Sequence, residues 1–201
     1  IGKTVVTKFQ RLEKLPSVGT RFQLGLEVLL GARRALLRGR RVGLLAHPAS
    51  LDTRGVHAAV RLREALGRRL VALYGPEHGF HGRGGAGEEL GHDRHPAWDI
   101  PIYSLYGEHR KPTPALLDGV DALVFDLQDI AVRCYTFVTT LRYVMEACAE
   151  QGKTLIVCDR PVPLPNVVDG PLPEPAFASF VAGVPVPLVY GMTPGETARF
   201  L

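Results

Sequence analysis

The segment 75–89 reads Gly-Pro-Glu-His-Gly-Phe-His-Gly-Arg-Gly-Gly-Ala-Gly-Glu-Glu. It places a carboxylate (Glu77), two imidazoles (His78, His81) and a guanidinium (Arg83) among glycines, which let the backbone turn tightly and approach a ligand. The apolar run Leu70-Val71-Ala72-Leu73-Tyr74 just before it has the pattern of a buried strand. A titratable, glycine-rich loop at a strand end is where α/β proteins keep their chemistry. Glu77, between proline and histidine beside apolar strand ends, is expected to have a raised pKa and to act as a general acid. The plainer alternative is a loop carboxylate bonded to glycine N–H groups.

The elements that must carry this loop alternate. Residues 24–38 read as a helix, 41–46 as a strand, 56–66 as an amphipathic helix with Val56, Val60 and Leu66 inward, and 70–74 as a strand. After the long irregular stretch 75–100, strands are expected at 101–105, 121–127 and 154–158. A short helix follows Thr113-Pro114, and the longest helix spans 136–150 with Val138, Leu141, Val144, Met145 and Cys148 inward. Residues 159–187 are proline-rich and irregular, and 186–189 suggest a last strand. Thr193-Pro194-Gly195-Glu196 is a capping box. Continuous apolar strands alternating with amphipathic helices predict an α/β, Rossmann-like domain over 24–201: a mostly parallel sheet with helices on both faces. Residues 1–23 read as a tail or extra element. The helix opening at Thr193 is cut at Leu201, so a longer protein is expected to continue.

In such a sheet the residues just after each strand share one crevice. They are His47 and Ser50, then Glu77, His78, His81 and Arg83, then Tyr103 and Tyr106. Asp126, Gln128, Asp129, Arg133 and Tyr135 come next, then Asp159 and Arg160. Polar groups from several loops suit a sugar. Asp126 is a second carboxylate candidate, with a structural cap as its alternative. Asp129 with Arg133, and Asp159 with Arg160, are spaced to pair internally.

Other chemistries are less well served. Gly82-Arg83-Gly84-Gly85-Ala86-Gly87 spells a dinucleotide fingerprint but does not join a strand to a helix. His78, His81, His92, Asp93, His95 and Asp99 offer metal-ligand types without metal-ligand spacing. A metal-dependent hydrolase using His78, His81 and His92 is therefore an alternative. The net charge of +4 comes with scattered arginines and no interleaved aromatics, which argues against nucleic acid. With 46% hydrophobic and 22% charged residues the composition is that of a globular domain, and no apolar run reaches membrane-span length. Three cysteines (Cys134, Cys148, Cys158) do not make a disulfide scaffold, and the latter two read as core.

The order of several motifs resembles one family. These are Tyr74-Gly75-Pro76-Glu77-His78-Gly79, Pro101-Ile102-Tyr103-Ser104-Leu105-Tyr106-Gly107, Val124-Phe125-Asp126-Leu127-Gln128-Asp129 with Arg133-Cys134-Tyr135-Thr136-Phe137, Asp159-Arg160-Pro161, and Gly191-Met192-Thr193-Pro194-Gly195-Glu196. Over 24–201 the chain is similar to the bacterial exo-β-N-acetylmuramidases, long catalogued as a domain of unknown function. The resemblance implies a Rossmann-like domain followed by a smaller C-terminal domain, with the active site in the cleft between them. It implies release of N-acetylmuramic acid from the non-reducing end of peptidoglycan fragments, without metal or nucleotide cofactor. It maps the leading catalytic candidate onto Glu77 and a further family motif onto Asp159, Arg160 and Pro161. On a glycoside hydrolase reading, Asp126 or a water held by it is the expected second group. His78, Arg83, Gln128, Arg133, Tyr135, Asp159 and Arg160 are the expected substrate-binding residues, an arginine being suited to the lactyl carboxylate. A muropeptide-binding module without turnover is the other alternative. The chain departs from the family pattern at His47 (usually Asn), Val162 (usually Asn) and Tyr190 (usually His).

Overall fold

The computed structural model describes residues 22–201, so the expected tail lies mostly outside the described residues. Six strands form one sheet in the order β3-β4-β2-β1-β5-β6. They are β1 (Val42–Ala46), β2 (Leu70–Gly75), β3 (Asp93–Arg94), β4 (Pro101–Ser104), β5 (Ala122–Asp126) and β6 (Thr154–Val157). All neighbours pair parallel except the two-residue edge strand β3, which runs antiparallel to β4.

Side chains alternate along each strand, so each strand feeds two cores. Leu44, Ala46 and Val124 pack on one face with α1 (Gly25–Leu30) and α2 (Ala58–Leu66). Leu45, Leu123 and Phe125 pack on the other with α3 (Phe137–Glu150) and α4 (Pro194–Phe200). The sheet is thus covered on both faces, as its continuous apolar strands require. Cys148 and Cys158 are core, and the α3 stripe is buried as expected apart from the partly covered Met145.

Several boundaries differ from the sequence reading. The expected helix 24–38 stops at Leu30, with Gly31 leaving helical geometry, and resumes as one 3-10 turn at Arg34–Leu37. Helix α2 starts at Ala58 because His57 caps it, accepting from the Ala59 N–H through Nδ1. Its buried face is then Ala58, Ala59, Leu62 and Leu66, while Val60 faces solvent. The segment after Thr113 is a 3-10 turn (Ala115–Leu117). Residues 186–189 form no strand: Val189 makes only isolated bridges to Val132 and Asp169. A third small core, which includes Val138, Val162, Val186 and Tyr190, anchors the irregular segment onto α3 instead.

The capping box at α4 forms as read: Thr193 Oγ1 accepts from Glu196 N, and Glu196 accepts from Thr193 N.

Candidate active site

Strand β1 runs between β2 and β5, and the chain leaves it in both directions across the sheet. The C-terminal ends of β1, β2, β4 and β5 therefore open onto one crevice. Gly75 ends β2. A Cβ there would stand 2.1 Å from Phe80 N, so only glycine lets residues 76–80 fold back over the strand end. That reversal presents Glu77.

Glu77 is held by two donors. Gly87 N–H reaches Oε1 at 3.0 Å and Thr136 Oγ1 reaches Oε2 at 2.7 Å, and the Tyr106 phenol stands near the carboxylate. Burial pushes its pKa up, but Thr136, Gly87, His78 and Tyr106 together outweigh burial and hold it below the ordinary value. The expected raised pKa is thus reversed in the free domain, because polar donors, not apolar strand ends, surround the group. Thr136 immediately precedes α3, and Tyr106 follows β4. Both phenols near Glu77 stay protonated: burial raises Tyr135, with Asp129 and Glu77 adding to it, and burial with Glu77 raises Tyr106.

Asp126 is placed differently from the expectation. It is fully buried, and Arg160 grips both its oxygens, from Nε at 2.7 Å and from the second guanidinium nitrogen at 2.9 Å. Arg160 also donates to Leu51 O at 3.0 Å. Burial pushes the Asp126 carboxyl up and the guanidinium opposes it. The pair ties β5 to the loop after β6 and turns neither group toward the crevice.

The two internal pairings read from spacing do not form. Asp129 accepts from Ile130 N and Ala131 N, with the Tyr190 phenol nearby. Arg133 donates to Pro171 O and Val186 O. Asp159 anchors α4, accepting from Gly195 N at 2.8 Å and Thr193 Oγ1 at 3.0 Å. A Cβ at Gly195 would stand 2.8 Å from the Asp159 carboxyl carbon, so this anchor needs glycine. The Gln128 amide donates to Asp129 O and Pro161 O.

His47 joins the strand ends. Its Nε2 accepts from Gln128 N at 3.0 Å, and its carbonyl faces His57 Nε2 at 3.0 Å. Since His57 Nδ1 accepts from Ala59 N, Nε2 carries the proton and donates to His47 O. Burial first, then Arg160, His57 and His78, push His47 down to about 4. Ser50 bonds both His47 N and Asp126 O, closing the network.

The remaining candidates sit around a hollow of about 270 Å³ that Glu77 does not line. Its walls include His78, His81, Arg83 and His92, and also Phe80 and Ile102, which belong to the core on the α1/α2 side. His78 has φ +69 and braces the loop through Nδ1 on Gly84 O; His92 Nδ1 accepts from Ser104 N. His81 packs edge-on against Phe80, so the three rings serve separate partners. Among the described residues no three His, Cys, Asp or Glu side chains converge to hold a metal, and the metal-hydrolase alternative is not favoured. Another hollow of about 370 Å³, between α1 and residues 52–61, contains none of these groups.

The structure therefore brings together Glu77, His78 and Tyr135, adds Tyr106 and Thr136, and withdraws Asp126, Asp159 and Arg160 into the frame. Tyr106 was legible as a strand-end residue; Thr136 stood in one of the motifs of the resemblance and was read as the first residue of the longest helix, without a site role.

The sequence of the same region matches the family model described as exo-beta-N-acetylmuramidase NamZ, N-terminal, over residues 42–201. The chain belongs to that family. It is 44% identical over 177 residues to the peptidoglycan beta-N-acetylmuramidase NamZ of Bacillus subtilis (strain 168), covering 88% of this chain and 43% of that protein. Two crystal structures of DUF1343 family proteins from Bacteroides fragilis NCTC 9343 share its fold. One aligns with TM-score 0.81 and 41% identity over 89% of this chain and 45% of that one. The other aligns with TM-score 0.75 and 31% identity over 90% and 46%. The chain spans less than half the length of these relatives. Among the described residues no helix is long and apolar enough to cross a membrane.

Proposed function

We propose that this chain is the catalytic-residue-bearing half of a glycoside hydrolase that releases N-acetylmuramic acid from the non-reducing end of peptidoglycan fragments. The observation that carries the reading is Glu77. In a chain 44% identical to a peptidoglycan β-N-acetylmuramidase, it is a partly exposed carboxylate fixed by donors from two different segments at the sheet's carboxyl edge. Such fixing holds a reacting group in one geometry.

Glu77 starts ionised. Burial is already the largest influence on it and acts upward. A sugar seated over the crevice removes water and strengthens that influence, so Glu77 takes up a proton as the site fills and delivers it to the leaving oxygen. Tyr135 and Tyr106 supply neutral hydroxyls beside it. Arg83 and His78 are placed to meet ring substituents on the α2 side of the loop. Asp126 and Arg160 act by holding the strand ends, and the second catalytic group comes from outside this pair.

The test is Glu77→Gln in the whole protein, assayed on a chromogenic β-N-acetylmuramide. Gln keeps the shape and one accepting oxygen for Gly87 N–H, its amide nitrogen can donate to the Thr136 hydroxyl, and it has no acidic proton. Turnover should fall about 10²–10⁴-fold with little change in folding stability. Full turnover by this variant would sink the assignment. Binding of the muramide by the wild type without any turnover would favour the binding-module alternative.

A further inference from the structure

N-acetylmuramic acid differs from N-acetylglucosamine by a lactyl ether that ends in a carboxylate. An enzyme that reads this difference needs a cation near the reacting carboxyl group that is not already paired. Most arginines near the crevice are committed. Arg160 is locked on Asp126 and Leu51 O, and Arg133 on Pro171 O and Val186 O. Arg142 is taken by Glu146 and Gly183 O. Arg83 lines the hollow on the α1/α2 side, whereas the Glu77 carboxylate turns toward Thr136 at the start of α3.

Arg110 is different. Among the described residues it makes no hydrogen bond or ion pair. Its guanidinium lies 5.0 Å from the Tyr106 ring centre and 4.8 Å from the Phe180 ring centre. Those two rings pack against each other at 5.6 Å, and Tyr143 on α3 backs Phe180 at 5.9 Å. Tyr106 in turn stands beside Glu77, each group influencing the other's protonation. One aromatic ring therefore separates the free guanidinium from the proposed catalytic carboxyl. Stacking uses the faces of a guanidinium and leaves its edge N–H donors open. It also fixes the plane of the fork, so less freedom is lost when a carboxylate docks. The neighbouring acid Glu108 faces His109 at 3.5 Å and does not pair with Arg110.

We propose that Arg110 recognises the free lactyl carboxylate of the sugar bound at Glu77, and so sets specificity for the muramic acid over the glucosamine sugar. The inference rests on the muramidase reading above. The whole protein would be assayed on three chromogenic substrates: a β-N-acetylmuramide, its lactyl methyl ester, and the β-N-acetylglucosaminide. The wild type should prefer the free acid over the ester by about 10–100-fold in kcat/KM, the worth of a bidentate charged pair. Arg110→Gln should erase that ratio mainly through KM, with kcat within a few-fold. Arg110→Lys should keep part of it, since a lysine is a point charge without the fork. Thermal melts establish that each variant is folded.

Retention of the acid-to-ester ratio in Arg110→Gln overturns the proposal. So does its loss in Arg83→Ala with retention in Arg110→Gln. A wild type that cleaves acid and ester equally leaves the glycosidase reading standing and overturns the role of Arg110. A wild type that cleaves none of the three overturns both.

Discussion

Arg160 holds Asp126 by both carboxylate oxygens, at 2.7 and 2.9 Å, with the two side chains 3% and 0% exposed. Both partners came from motifs that look catalytic in the sequence, and together they form a clamp. Breaking such a pair leaves one charge buried and unpartnered, which costs about 3–5 kcal/mol. Asp126→Asn is therefore expected to lower stability by that order in urea unfolding, with kcat of the folded fraction little changed. Normal stability with kcat reduced a hundredfold or more would return Asp126 to the chemistry.

The pKa of Glu77 gives the second expectation. The free-enzyme value is held below the ordinary carboxylate range, so the fraction carrying a proton falls tenfold per pH unit above it. If Glu77 is the acid, kcat/KM falls with rising pH from that low value. The descending limb of kcat, which reports the complex, lies at higher pH because the seated sugar deepens burial. Steady-state kinetics across pH check this. A kcat/KM that climbs through the acid range, with no descending limb lost in Glu77→Gln, would mean that Glu77 works ionised.

Most of the frame was legible because apolar strands and amphipathic helices announce themselves by period. Helix ends were less so: Gly31 and His57 moved them by local geometry that no period records. The crevice was legible as a set of strand-end residues, since the topology of parallel sheets gathers them. What the sequence does not carry is which way each side chain turns. Spacing suggested Asp129 with Arg133 and Asp159 with Arg160. Asp129 turns back on its own loop at Ile130 N and Ala131 N, and tertiary partners take the other three: two backbone carbonyls, the N-terminus of α4, and Asp126. The environment of Glu77 was misjudged for the same reason, because Thr136 lies 59 residues away in the chain.

His47 makes the fold sensitive to acid. Its pKa falls from about 6.5 unfolded to about 4 folded, chiefly through burial, so the unfolded chain binds the proton more readily. This contribution to stability is complete above pH 6.5 and is lost as pH falls from there toward 4. Its size is roughly 2–4 kcal/mol. The same sign applies to His57, which burial also lowers. His47→Asn keeps a neutral acceptor for Gln128 N and does not titrate. Chemical denaturation at several pH values should show a flatter slope between 4 and 6.5 in this variant. An unchanged slope would mean that His47 already ionises freely in the folded domain.

Thr136→Val separates the two roles open to Glu77. Valine fills the buried threonine's space and removes only the hydroxyl that donates to Oε2 at 2.7 Å. Thr136 makes no side-chain cap bond to α3, so the helix keeps its start. The Thr136 hydroxyl is the largest of the influences that hold the carboxyl down, so losing it lets the carboxyl rise. If Glu77 must be protonated to act, more enzyme is then competent at neutral pH. In that case kcat/KM at neutral pH increases, and its descending limb moves to higher pH. If Glu77 acts as an anion, the donor that holds it in place has been lost for no gain, and kcat/KM falls. The direction of change at pH 7, read beside the shift of the limb, decides which proton state of Glu77 does the work.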